Sequence, residues 1–253
     1  MWHCIDQEAV TPEQYRDAIA FFAKQTTANC LYPGLLLEDF SLSLNQIDGH
    51  KVEDGERSAY LRDPPAILFT IQHGRIHRQP FFSAPDSMFA LDKSLDKTQT
   101  QGNILFINGY PSPTWIVHTG AFCHIDPWFF SSHLRFRCRR DYFSSPSLPS
   151  ANRNIITLRI ITIGSREKKR GSADQESLDQ LRADGVKAMN KYEQQLMVNG
   201  YFKTGDSIVR SFSILDKKHF IIEQEISICV NKMGKDWIGQ LLRESWCSLS
   251  QAN

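Results

Sequence analysis

No stretch of this chain carries the signature of a familiar reaction. It has no Gly-x-Ser-x-Gly elbow, no His-Glu-x-x-His pair, no Gly-x-Gly-x-x-Gly loop and no Cys–His nucleophile pattern. Esterase, zinc-protease and dinucleotide chemistries are therefore without their usual sequence signals. An excess of charge is missing too. The formal net charge is +1, which gives no global field to draw nucleic acid or an anionic membrane. The six cysteines, at 4, 30, 123, 138, 229 and 247, show no Cys-x-x-Cys and no regular spacing, so reduced thiols are expected rather than a disulfide framework. No window approaches the roughly 18 apolar residues of a membrane span. Residues Met1–Glu8 lack the basic and apolar segments of a secretory leader, and the expectation is an intracellular, cytoplasmic protein.

What is present is an ordinary globular composition, 41% apolar and 23% charged, with a generous aromatic supply of 16 Phe, 7 Tyr and 5 Trp. A chain of 253 residues is long enough to bury roughly 70–75% of its unfolded surface. No internal repeat or long biased linker divides it. One α/β domain over residues 1–253 is expected, a single mixed sheet flanked by helices, with 238–253 as a short C-terminal tail.

Thr11-Pro12-Glu13-Gln14 has the form of a capping box with Pro at the first helical position, and Tyr15, Ala18, Ile19 and Phe22 follow at helical spacing. Leu42 and Leu44 flank Ser43, so residues 35–44 read as a strand. Residues 48–58 read as a loop, and the apolar run Ala66–Ile71 as a buried strand. The polar stretch 74–102 reads as a surface excursion before a second buried strand at Ile104–Ile107. Ser112-Pro113 and Asp126-Pro127 each begin a helix, with the polar residue as N-cap. Asn154–Gly164 is dense in β-branched residues and predicts a strand. The helix predicted over about 174–199 places Leu178, Leu181, Gly185, Met189, Tyr192 and Leu196 on one face. Residues 207–215 and 219–230 form a hairpin around Asp216–Lys218. Leu241, Leu242, Trp246 and Leu249 recur near helical spacing and predict a short amphipathic helix.

Several groupings invite chemistry. Asp126 and His133 are seven residues apart and share a helical face, as an acid/base pair requires, but an Asp before Pro at a helix start is occupied by backbone N–H groups. Cys123, His124 and Asp126, with His118 and Cys138 nearby, are metal-competent, yet they form one cluster without the second close ligand pair of a structural zinc site. No bound zinc and no cofactor are expected. His73 and His77, on an extended strand, would stand about 13 Å apart. Residues 200–207 mimic a phosphate loop, but Asp206 stands where that loop needs lysine. Arg135, Arg137, Arg139 and Arg140, interleaved with Phe136 and Tyr142, could grip phosphates. In a near-neutral chain such a cluster more often pairs with carboxylates, which disfavours nucleic acid. Arg166–Arg170 reads as an exposed loop.

Residues 109–150 are the densest in aromatics and prolines. The run Gly109-Tyr-Pro-Ser-Pro-Thr-Trp115, then Gly120, Asp126-Pro-Trp-Phe-Phe130 and His133-Leu134, resembles the cytosolic domain of fungal CorA-like transporter proteins. The resemblance continues through Leu148-Pro149-Ser150, the strand from Asn154, Gly205–Arg210 and Glu223–Ile228. It covers roughly residues 105 to 237, with the blocks in the family's order. It implies an α/β cytosolic domain, which in longer members precedes a helical stalk and two membrane helices. The stalk, the membrane helices and the Gly-Met-Asn pore motif have no counterpart in this sequence, so ion conduction by this chain alone is not expected.

The resulting expectation is a non-catalytic module that acts through a protein partner or self-association, with no catalytic residues. The contrasting expectation is a small accessory enzyme or ligand-binding protein of a fungal specialised-metabolite pathway. Its small molecule would sit in an aromatic pocket of Tyr110, Trp115, Trp128, Phe130 and His133.

Overall fold

The computed structural model describes residues 10–29, 34–45, 66–81, 102–134, 154–166, 177–199, 208–233 and 236–244. Helix α1, Pro12–Asn29, begins as its sequence dictates. Thr11 N donates to Gln14 Oε1 at 2.8 Å and Gln14 N donates to Thr11 Oγ1 at 3.2 Å, a reciprocal capping box. Its inward face is Tyr15, Ile19 and Ala23, all buried. Residues Gly34–Asn45 form a second helix, α2, where a strand was expected. Leu37, Phe40, Ser41 and Leu44 are buried while Leu42 is 62% exposed. That is helical spacing, and the Leu42/Leu44 alternation is incidental to it.

Among the described residues the sheet has seven strands: β1 Ala66–Gln72, β2 Arg75–Phe81, β3 Gly102–Asn108, β4 Ile155–Ser165, β5 Ser211–Ile214, β6 His219–Met233 and β7 Asp236–Arg243. Their order is β2-β1-β3-β7-β6-β4, with β5 also paired to β6. Only β3 and β7 run parallel. The architecture is thus a mixed α/β sheet, as expected. Two segments differ from expectation. Part of the supposed surface excursion is β2, which forms a hairpin with β1 through a two-residue turn at His73-Gly74. Both turn residues have positive φ, 47° and 72°, the backbone that a tight hairpin of matching twist needs. Residues 82–101 lie outside the described residues. The stretch read as the start of a tail contains β7, an inner strand held between β3 and β6. Leu241 and Leu242 therefore belong to a strand rather than a helix; Trp246 and Leu249 lie outside the described residues.

Three further helices complete the described chain: α3 Pro113–Phe122, α4 Pro127–Leu134 and α5 Leu178–Asn199. Helices α1 to α4 cover one face of the sheet. The core joins Tyr15, Phe40, Trp115 and Phe129 from the helices to Leu68, Leu105, Ile107 and Leu242 from the strands. Helix α5 lies on the opposite face over β5, where a Cβ on Gly185 would stand 3.2 Å from the Phe212 ring and 3.4 Å from Ile214. The β5–β6 hairpin expected around residues 216–218 is present, with Leu215 N bonded to His219 O at 3.0 Å. Asp216 Oδ1 accepts from Lys218 N and His219 N at 2.6 and 2.8 Å and closes the turn. The His219 side chain, and then those two amides, hold its carboxyl down to a pKa of about 2.

Candidate functional site

The α3–α4 corner is built from the residues that looked most chemical in the sequence. Ser112 Oγ accepts from Trp115 N at 3.3 Å and caps α3. At the other end His124 takes a φ of 49°. Its N–H bonds Ala121 O at 3.4 Å and that of Ile125 bonds Gly120 O at 3.0 Å, the paired closure of a Schellman motif. Asp126 Oδ1 then accepts from Trp128 N at 2.8 Å and starts α4. Two anchors fix this corner. Tyr15 of α1 donates its hydroxyl to Ile125 O at 2.7 Å. Asn231 of β6 donates Nδ2 to both Cys123 O and His124 O at 3.0 Å. Asp126 is thereby a cap and His124 a helix stop. Cys123 and Cys229 are buried thiols that form no disulfide among the described residues. Burial, then the charge of Asp126, pushes the Cys229 thiol up to about 12, so it carries no thiolate at neutral pH. Among the described residues no three His, Cys, Asp or Glu side chains gather to hold a metal.

Helix α4 carries His133 inward over β6. Its Nδ1 shares a hydrogen bond of 2.9 Å with Ser227 Oγ, which lies 3.4 Å from Thr157 Oγ1. Both His133 and Ser227 are 0% exposed. Burial, then the nearby Arg210 guanidinium, drives the imidazole pKa down to about 3, so the ring is neutral under ordinary conditions. A serine–histidine pair acts as nucleophile and base when a third group orients the base and substrate can reach the serine. Here His133 Nε2 has no hydrogen-bond partner among the described residues, and the serine is enclosed.

Beside this pair lies a buried ionic cluster that residue spacing alone did not suggest. Arg210, just before β5, donates Nη2 to His133 O and Nε to Glu244 Oε1, the latter at 2.6 Å. The same guanidinium stands 3.4 Å from Glu225 Oε2. Glu225 N donates to Glu244 Oε2 at 2.6 Å, and Gln224 Nε2 donates to Glu244 O at 3.2 Å. On the outer side Arg159 of β4 bonds Glu223 Oε1 at 2.8 Å and approaches Glu225 Oε1 at 3.6 Å. Two cations thus serve three carboxylates. Burial, opposed by Arg210, pushes the Glu244 carboxyl up to about 7. The cluster fastens the end of α4, the lead-in to β5 and the strands β4, β6 and β7 to one another. The sequence signal for it was the polar run Glu223-Gln224-Glu225 set between Ile221-Ile222 and Ile226.

The proposed aromatic pocket residues occupy different places. Trp115 is 1% exposed and its ring meets Phe81 edge-on at 6.5 Å. Phe130 is buried against Phe129 at 5.3 Å. Tyr110 and Trp128 are half-buried, and burial raises the Tyr110 hydroxyl pKa. Trp115, Phe129 and Phe130 lie in the main core. Besides His133 Nε2, the buried atoms Asn103 Oδ1 and both amide atoms of Gln240 lack hydrogen-bond partners among the described residues. Asn103 and Gln240 point to the helix-covered face of β3 and β7, diagonal across that pair. The arginines 135–140 and residues 200–207 lie outside the described residues. No helix among the described residues is long and apolar enough to cross a membrane. No protein-family model matches this chain, and no curated protein matches it either.

Proposed function

We propose that this chain is a CorA-like α/β domain that works by contact, as an interaction or regulatory module, rather than by catalysis or transport. The observation that carries the proposal is the state of its most reactive-looking side chains. His133 and Ser227 are fully enclosed, Asp126 is spent on a helix cap, and Arg210, Glu225 and Glu244 are bound to one another. Groups that are enclosed, or engaged with their neighbours, hold a fold together but offer no open site to a substrate. The mixed sheet with helices on both faces agrees with the architecture that the sequence resemblance implies. A module of this kind leaves its work to the surface.

The test is complementation in host cells deleted for this chain, with the wild type restoring the deletion phenotype. Ser227→Ala and His133→Gln proteins that keep a cooperative thermal transition are expected to restore it as well. A Ser227→Ala protein that is folded and fails to do so would make the His133–Ser227 pair a working site, and would replace the module with an enzyme.

A further inference from the structure

We infer that the outer edge of β4 is a two-fold interface between copies of this chain, each copy laying residues 155–165 antiparallel against the other's so that the two sheets become one. The inference deepens the module reading, and rests on it, by naming surface and partner.

The backbone argument comes first. Strand β4 is 11 residues long and keeps an unbroken register with β6, from Ile155 opposite Cys229 to Ser165 opposite His219. It has no bulge, and its other edge has no neighbour among the described residues. A long straight edge of this kind presents a row of N–H and C=O groups suited to another strand. Natural sheets blunt such edges with lysine, proline, bulges or covering segments; β4 contains no lysine and no proline.

Side-chain exposure selects the kind of occupant. Ile156 is 57% exposed on one face of the sheet, while Ile161 and Ile163 are 66% and 65% exposed on the other. A helix docked on either face would cover one set and leave the other wet. A strand placed alongside covers both, because its own side chains alternate between the faces.

Charge and symmetry then select a second copy. The strand's single charged residue is Arg159, and it is already neutralised within its own chain by Glu223 and Glu225. Two copies therefore approach without repulsion, and every two-fold register except the one centred on Arg159 sets that residue against a neutral one. A strongly acidic or basic partner strand would find no free opposite charge along this edge. The far edge of the sheet decides the stoichiometry. There β2 exposes one large apolar side chain, Ile76, between Arg75 and Arg78, and it carries Pro80, which has no N–H to give a ladder. Head-to-tail pairing of β2 with β4 is thus opposed, so association by the sheet edge closes at two copies rather than running on into a fibre.

The experiment is light scattering on the full-length protein across about 1 to 100 µM, combined with hydrogen–deuterium exchange at both ends of that range. The mass is expected to move from 29.0 kDa towards twice that value. Exchange at residues 155–165 should slow as the dimer fills, while residues 75–81 do not change. An I161K/I163K double variant with an unaltered melting transition is expected to weaken association at least tenfold. A protein that stays monomeric throughout, or a dimer whose exchange at 155–165 is independent of concentration, overturns the inference. Either outcome leaves the module reading to its own complementation test. If the double variant does not fold, the exchange measurement on the wild type decides alone.

Discussion

The two edges of this sheet are both exposed to solvent and are built on opposite principles. Strand β2 is exposed over Arg75–Pro80, and only Phe81 enters the core. Its exposed side chains are polar or charged apart from Ile76 and Pro80, its proline interrupts any further ladder, and its attachment is a tight turn. Strand β4 is apolar where it meets water, and it is tied to the interior through Arg159 and Thr157, which reach the buried cluster around Glu225 and Ser227. Exposure alone therefore says little about what an edge is for. Residue type at the exposed positions, and what holds the strand from behind, distinguish a finished boundary from a joining surface.

The largest expected effect tests what lies behind β4. Arg210→Ala leaves Glu225 and Glu244 without their shared cation and should cost about 3–5 kcal/mol in denaturant unfolding. Arg78→Ala on the β2 edge should stay within about 0.5 kcal/mol. Equal losses at the two positions would erase the distinction.

A glycine at each edge sharpens it. A Cβ at Gly164 of β4 would come within 2.2 Å of the Phe220 ring, and Gly164→Ala should cost about 1–3 kcal/mol by overpacking. Phe220→Leu in the same protein should relieve part of that loss. At Gly74 in the β1–β2 turn no described residue lies within 4 Å of an added Cβ, but φ is +72°; Gly74→Ala should cost about 1–2 kcal/mol from backbone strain. Gly74→Asn should recover part of it, and thermal melts of the five proteins check the pattern.

The buried cluster behind β4 also carries a pH signature. Glu244, raised from 4.5 to about 7, contributes stability below pH 4.5 that is lost as pH rises through 7. His133, lowered from 6.5 to about 3, contributes stability above pH 6.5 that is lost as pH falls through 3. Between pH 4.5 and 6.5 the two slopes oppose and cancel. Glu244→Gln removes one of them, so stability should then climb with pH across that window at up to ~1.4 kcal/mol per unit. A variant with the wild type's flat profile would contradict the assignment.

Asp126→Ala should cost about 0.5–2 kcal/mol through loss of the α4 cap, again read from the melting transition. The smallest effect is on stability at the edges themselves. I161K/I163K in β4 and Arg78→Ile/Pro80→Ile in β2 should each shift folding by less than about 0.5 kcal/mol per position, yet alter association in opposite directions. The β2 variant gains an unprotected edge and should form species larger than a dimer.

Much of the chain could be read without its fold, because the signals were short-range. The capping box at Thr11, the caps at Ser112 and Asp126, the strands read at 66–71, 104–107 and 154–164, and the β5–β6 hairpin all show in patterns of a few consecutive residues. Three elements could not be read that way. In α2 two leucines mimic strand alternation until the burial of Leu37, Phe40 and Leu44 reveals a helical face. Strand β2 carries no apolar pattern, because an edge strand exposed on both faces needs none. Strand β7 carries leucines at a spacing that also suits a helix, and only insertion between β3 and β6 makes it a strand.

The chemistry divides in the same way. Sequence by itself determined that Asp126 and Ser112 are caps, since a cap is a local bargain between a side chain and the next turn's amides. It could not determine that Arg210 meets Glu225 and Glu244, or that His133 meets Ser227, 94 residues away. Those pairings exist only where the strand register and the seat of α4 bring distant residues to one buried point. The environment there, and not residue type, sets Glu244 near 7 and His133 near 3, because the cost of burying a charge depends on which partners the tertiary fold supplies.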